Sequence, residues 1–200
     1  MKDPTDFHRL KKEVKKGMDK ERYEHTLGVM YTAQCLAMAH GADLEQAKLA
    51  GLLHDCAKCM PNSTKLELCV QYNIEINDCE RANPSLLHAK LGAYLAKKHY
   101  GIKDEAVLHA IAVHTTGQPD MSLLDKILYI ADYIEPTRNK AEHLEEIRRT
   151  AFRNLDEALR MILTDTINYL GKNKHQEYID PLTTQTYDFY LGGSPERSSF

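Results

Sequence analysis

The sequence predicts an all-α fold, and three observations carry that expectation. Apolar residues recur at three- and four-residue spacing in one segment after another. The two-residue alternation that a half-buried strand needs is rare, and Gly, Pro and Asp stand at the joints between the periodic segments. The first segment, residues 6 to 18, is a charged helix with Gly17 near its end. Residues 22 to 39 place Val29, Ala33 and Leu36 on one face and stop at Gly41, where a left-handed cap fits. Asp43 is the expected N-cap of a helix through Ala47, Ala50, Leu52 and Leu53 to residue 58, before Pro61 forbids continuation. Further helices are expected over residues 63–72, 85–100, 104–114, 122–134 (closed by Pro136), 140–152 and 154–170. The Gly-, Ser- and Pro-rich end reads as a frayed tail. The expected organisation is therefore a single-domain helical bundle over residues 1–190 and a flexible tail over 191–200.

Length and composition narrow the class. At 200 residues the chain suits one domain with a sizeable core, and 42% hydrophobic with 28% charged residues is too apolar for a disordered chain. A net charge of -3, with no long basic block, argues against a nucleic-acid partner. The basic residues Lys11, Lys12, Lys15 and Lys16 are interleaved with acidic ones and read as a solvated face. Five cysteines, an odd number set mostly in apolar helical patterns, exclude a secreted disulfide framework and predict a cytoplasmic protein. Cys56 and Cys59 form a C-x-x-C without a second such pair, so they read as incidental thiols. The first 30 residues lack the apolar core of a signal peptide, and no run is long enough to span a bilayer.

The chemistry is concentrated in histidines and aspartates that fall on the apolar stripe of their own helix. His25 lies four residues before Val29 and points inward near a helix start. His54 continues the row Ala47, Ala50, with Lys58 a turn later and Asp55 rotated by ~100°. His88 opens a helix whose buried row is Leu91 and Leu95, and His114 ends one whose row is Val107, Ala110 and Ile111. Asp132 completes the row Leu124, Leu128 and needs a partner for its charge. His109 lies ~140° from His114 around one helix, so the two cannot share a site, and the turn after His114 favours His114. His8, His40, His99, His143 and His175 read as surface residues. A single inward histidine is ordinarily a hydrogen-bonded core residue. Four of them with two inward aspartates suit a transition metal, where an all-oxygen set would suit magnesium or calcium.

The order His, His-Asp, Asp resembles the signature of HD-domain phosphohydrolases. Longer stretches are similar to the motifs of the bacterial YqeK family of symmetrical diadenosine tetraphosphate hydrolases. They are residues 22–29 (RYEHTLGV), 51–58 (GLLHDCAK), Leu87-His88, 110–117 (AIAVHTTG) and 131–138 (ADYIEPTR). The resemblance covers residues 8 to 190, with one departure: Ala89-Lys90 stands where many members have Gly-Pro. It implies a two-metal site, with iron expected and manganese or cobalt as alternatives, held by His25, His54, Asp55, His88, His114 and Asp132. Asp55 would bridge the ions, and a hydroxide held between them would attack phosphorus. Lys58 would join Asp55 as a catalytic group and, with Arg138, bind substrate phosphates.

The implied activity is that of a symmetrical bis(5'-nucleosyl)-tetraphosphatase, giving two ADP from diadenosine tetraphosphate. Two other readings stay open: a related HD phosphohydrolase acting on another nucleoside phosphate or a cyclic dinucleotide, and a non-enzymatic nucleotide-binding module. Intact ligands plus Lys58 favour an enzyme. The expected partner is a small-molecule nucleotide, with neither nucleic acid nor membrane involved; a homodimer is compatible with this reading.

Overall fold

The computed structural model describes residues 7–172 and 179–192, and every regular element among them is helical. Eleven α-helices follow in order: α1 (Phe7–Lys16), α2 (Lys20–His40), α3 (Leu44–Leu53), α4 (Asn62–Gln71), α5 (Asp78–Ala82), α6 (His88–Lys98), α7 (Glu105–Val113), α8 (Leu123–Ile134), α9 (Leu144–Ala151), α10 (Leu155–Lys172) and α11 (Pro181–Leu191). A 3₁₀ turn over Pro84–Leu87 leads into α6. The expected tail from residue 193 onward and His175 lie outside the described residues. No described helix is long and apolar enough to cross a membrane.

Starts and stops follow local chemistry. Asp19, Asp43, Asp104 and Asp180 accept hydrogen bonds from backbone N–H groups in the first turns of α2, α3, α7 and α11, and Ser122 with Asp125 forms a reciprocal box at α8. Gly41 closes α2 in the left-handed region at φ 72°.

Helix α8 is the hub. It packs against α2, α3, α7, α9 and α10, and it is apolar almost all round, with Ile127, Leu128, Ile130 and Ala131 fully buried. Against it α2 and α3 contribute Val29, Ala33, Leu36, Leu52 and Leu53 to the core.

Three boundaries depart from the sequence expectation. Helix α3 stops at Leu53 rather than residue 58, and tight i→i−3 bonds carry the chain on: Cys56 N–H to Leu53 O at 3.1 Å, Lys58 N–H to Asp55 O at 2.9 Å, Met60 N–H to Ala57 O at 3.3 Å. The Gly51 carbonyl, which an unbroken helix would offer to the Asp55 N–H, meets the His54 ring instead at 2.8 Å. Residues 85–87 are a 3₁₀ turn rather than the start of α6. Helix α9 begins at Leu144, not 140, because His143 sits at φ 53°, outside helical space, with its Nδ1 3.0 Å from Asp165. Helices α5 and α11 were not expected. One is a single turn made by an Asn77–Glu80 capping box, and the other is set by Asp180 followed by Pro181 at its first position. His40 also departs from its surface reading: it is half-buried and its Nε2 lies 2.7 Å from the Ala151 carbonyl. None of the five cysteines is in a disulfide; Cys56, Cys69 and Cys79 are buried and Cys35 and Cys59 exposed.

The tightest joint is that between α2 and α3. A Cβ built on Gly51 would stand 2.6 Å from the Met30 Cα, backbone that cannot swing away. Gly51→Ala is therefore expected to destabilise the fold by about 1–3 kcal/mol despite the better helix propensity of alanine. Urea unfolding of the two proteins measures it, and a variant as stable as the parent would contradict this packing.

Candidate metal centre

Six side chains from five parts of the chain meet beneath one open cleft. His25 comes from the second turn of α2, His54 and Asp55 from the turn ending α3, His88 from the first residue of α6, His114 from the end of α7 and Asp132 from the last turns of α8. Ring centroids lie 5.4 Å apart for His25 and His54 and 5.1 Å apart for both His54–His114 and His88–His114. His109, by contrast, faces away, with Nδ1 3.0 Å from Asp125 and Nε2 3.2 Å from Gln118.

Asp55 is the centre, and its two oxygens face different partners. Oδ2 lies 3.4 Å from His54 Nε2 and 3.8 Å from His25 Nε2; Oδ1 lies 3.3 Å from His88 Nε2 and 3.8 Å from His114 Nε2. Asp132 adds Oδ1 on the His25 side, at 3.0 Å from its Nε2. Two donor groups thus share one carboxylate.

The four imidazoles all turn the same nitrogen inward. Nδ1 of His54, His88 and His114 donates to the carbonyl three residues earlier, those of Gly51, Ser85 and Ile111, at 2.8, 2.6 and 2.7 Å. His25 Nδ1 donates to Glu135 Oε1 at 3.0 Å. With Nδ1 committed as the donor, Nε2 is the nitrogen each ring turns to the cluster, and in a neutral ring it carries the lone pair. Nε2 of His25 and of His54 are buried and make no well-aligned hydrogen bond among the described residues, His25 Nε2 facing only the Asp132 carboxylate at 3.0 Å. Orphaned lone pairs beside carboxylates are costly unless a cation takes them.

Protonation states agree with that need. Burial opposes ionisation of Asp55, yet the positive charge and hydrogen bonds that His54 and His114 offer when protonated outweigh it and hold the carboxyl well below the usual range in the absence of an ion. Asp132 behaves alike: burial raises it, but His25, His54 and Arg138 bring it down strongly. Burial, helped by His114 and Lys58, pushes His88 down to about 3, so its ring stays neutral. Ionised carboxylates and neutral imidazoles are the forms that bind metals. A nitrogen-rich set of four histidines and two aspartates fits transition metals and not magnesium or calcium.

The cleft above has a volume of about 670 Å³, within the range of small-molecule sites. Lys58 lines it and donates to His88 Nε2 at 3.2 Å; burial lowers its pKa against the pull of Asp55 and Asp132. Arg138 also lines the cleft, but its Nη2 is engaged with Asp132 at 2.8 Å. Three neighbours went unassigned in the sequence. Arg22 places Nη1 2.8 Å from Asp55 Oδ2, and its position three residues before His25, on the same helix face, was the available signal. Thr115 Oγ1 lies 3.2 Å from His88 Nε2 and 3.3 Å from His114 Nε2. Glu135, fully buried against His25, stands just past the end of α8, where no periodicity argument reaches it.

Comparison with known proteins matches residues 22–137, more than half of the chain, to the HD domain family. A symmetrical bis(5'-nucleosyl)-tetraphosphatase of Halalkalibacterium halodurans is 42% identical over 171 residues, covering 86% of this chain and 90% of that protein. The protein of the same name from Bacillus subtilis is 38% identical over 181 residues, covering 90% and 95%. A crystal structure from Clostridium acetobutylicum, described as a "predicted HD superfamily hydrolase involved in NAD metabolism", superposes with a TM-score of 0.87 at 40% identity, covering 93% of this chain and 97% of that one.

The depressed His88 has a consequence for the metal-free protein. Its ordinary pKa is 6.5, so below that the unfolded chain binds a proton that the folded one refuses down to about 3. Stability is therefore complete above pH 6.5 and falls as pH drops toward 3, by up to about 1.4 kcal/mol per pH unit for each such proton. Urea unfolding of chelator-treated protein at pH 7, 6 and 5 should show that loss, and His88→Gln should flatten it. An unchanged slope in the variant would contradict the assignment.

Proposed function

We propose a function from one premise: this chain belongs to the HD-domain family. It is a metal-dependent phosphohydrolase that cuts a dinucleoside tetraphosphate at its centre, yielding two ADP from diadenosine tetraphosphate. The observation that carries this reading is the convergence of four inward Nε2 atoms on the two oxygens of Asp55 beneath a cleft lined by cations. The names of relatives spanning most of the chain point to the substrate.

Two transition-metal ions, with iron expected, would be held by His25, His54 and Asp132 on one side and His88 and His114 on the other, with Asp55 shared. Such ions supply Lewis acidity and make an attacking water more acidic. The chain's own groups do the rest. Asp55 stays ionised and offers one oxygen to each donor group. Lys58, whose ammonium already reaches the His88 edge of the cluster, neutralises charge building on the phosphate under attack. Arg22, and Arg138 with its planar fork, stand at the carboxylates, within the cleft where the outer phosphates lie. Water oxygen bonds to one inner phosphorus, the central bridging P–O bond breaks, and the second ADP leaves with its electron pair.

Elemental analysis of metal-reconstituted protein is expected to give about two transition-metal ions per chain, since six ligands exceed what one tetrahedral ion takes. Protein that never exceeds trace metal would remove the reading. Chromatography of the products of diadenosine tetraphosphate is expected to show ADP alone, whereas AMP with ATP would mean an asymmetric cut. Lys58→Ala is expected to lower kcat at least ~10-fold with metal content intact.

A further inference from the structure

Three of the four inward histidines fix their tautomer on a backbone carbonyl left over at a helix end or turn. His25 cannot, because it lies inside α2, where carbonyls bond to the N–H four residues on. Its Nδ1 meets Glu135 Oε1 instead, at 3.0 Å. That carboxylate is completely buried and fastened from several directions. The Thr137 N–H donates to Oε2 at 2.7 Å and the Thr137 hydroxyl donates to Oε1. Arg148 holds the surrounding main chain by donating to the carbonyls of Ile134, Glu135 and Arg138. On the facing helix stands Gly28, where any Cβ would run into Oε2. A buried charge this closely housed, on a segment that follows Asp132 by three residues, is costly and calls for a use.

We infer that Glu135 is a positioning residue of the metal centre: it holds His25 with Nδ1 protonated and Nε2 aimed at Asp55 and Asp132. This rests on the reading of His25 as a ligand. A carboxylate behind a ligating imidazole both orients the ring and strengthens it as a donor. Thr137 in turn fixes the carboxylate, which ties the first residues of the cleft-lining segment after α8 to the ligand set.

The test measures metal alone. Chelator-stripped protein is titrated with cobalt(II), without nucleotide, following the visible absorption of the bound ion against a competing chelator. Glu135→Gln keeps an acceptor for His25 but turns an amide NH₂ toward the Thr137 N–H. It is expected to weaken cobalt binding about 10- to 100-fold, with the far-ultraviolet dichroism of the parent retained. Thr137→Val, which deletes the hydroxyl and keeps the backbone donor, is expected to weaken it less, by a few-fold. His109→Ala should bind as the parent does. A purely structural carboxylate would lower the unfolding midpoint of the metal-free protein and leave affinity within about threefold, which overturns the inference. If Glu135→Gln does not fold, unchanged affinity in Thr137→Val overturns it. Failure of the parent itself to bind cobalt would remove the metal reading, an outcome distinct from equal binding by parent and variants.

Discussion

Asp55 is the interaction on which the rest of the site depends. A carboxylate with almost no exposure can stay ionised only if its surroundings are built for it, because burying an unpaired charge costs more than a typical fold has to spare. Here the direct cation is the Arg22 guanidinium at 2.8 Å, and around it stand four imidazole nitrogens delivered by four different helices or their ends. The packing of α8 against α2, α3 and α7 is what brings those ends together. A shift of any one helix by a turn, ~5.4 Å, would leave the charge without part of its cage.

The use of helix ends is itself a physical solution. A helix leaves its last carbonyls unpaired, and a histidine placed at that end satisfies one of them with Nδ1 while its other nitrogen projects beyond the helix. His54 and His114 do this at the ends of α3 and α7, and His88 does it with the carbonyl of Ser85 where a 3₁₀ turn passes into α6. One hydrogen bond thus closes the helix, sets the tautomer and aims the ligand. His25, inside a helix, has no such carbonyl and takes a carboxylate from across the fold, at the cost of burying it.

These two modes explain what was legible in the sequence. The four histidines and Asp132 could be read because each falls on the apolar stripe of its helix, where a polar group is conspicuous whatever its partners; Asp55, rotated by ~100° from that row, was legible as the neighbour of His54. The all-helical class, Gly41 and the Asp43 cap were legible for the same reason: they depend on neighbours within a turn. Glu135 was not, since its partner is 110 positions away and it sits on no stripe. The early stop of α3 was hidden because the His54 ring, not a Gly or Pro, takes the Gly51 carbonyl. His143 likewise gave no sign of its left-handed backbone, which is tied to Asp165 on another helix.

Charge balance bears on what the cleft is suited to hold. Asp55, Asp132 and Glu135 bring three negative charges to the cluster, and Arg22, Lys58 and Arg138 bring three positive ones. Two of those cations are already in contact with the carboxylates, at 2.8 Å for Arg22 on Asp55 and 2.8 Å for Arg138 on Asp132. A polyphosphate carries several further negative charges, and Lys140 is one additional cation lining the cleft. Close approach to ionised carboxylates without more positive charge would be repulsive at every step. The same cluster leaves lone pairs on His25 and His54 with nothing to bind. Both deficits, of positive charge toward a phosphate ligand and of a donor or cation for the buried lone pairs, are ones that divalent cations seated among these six residues would meet.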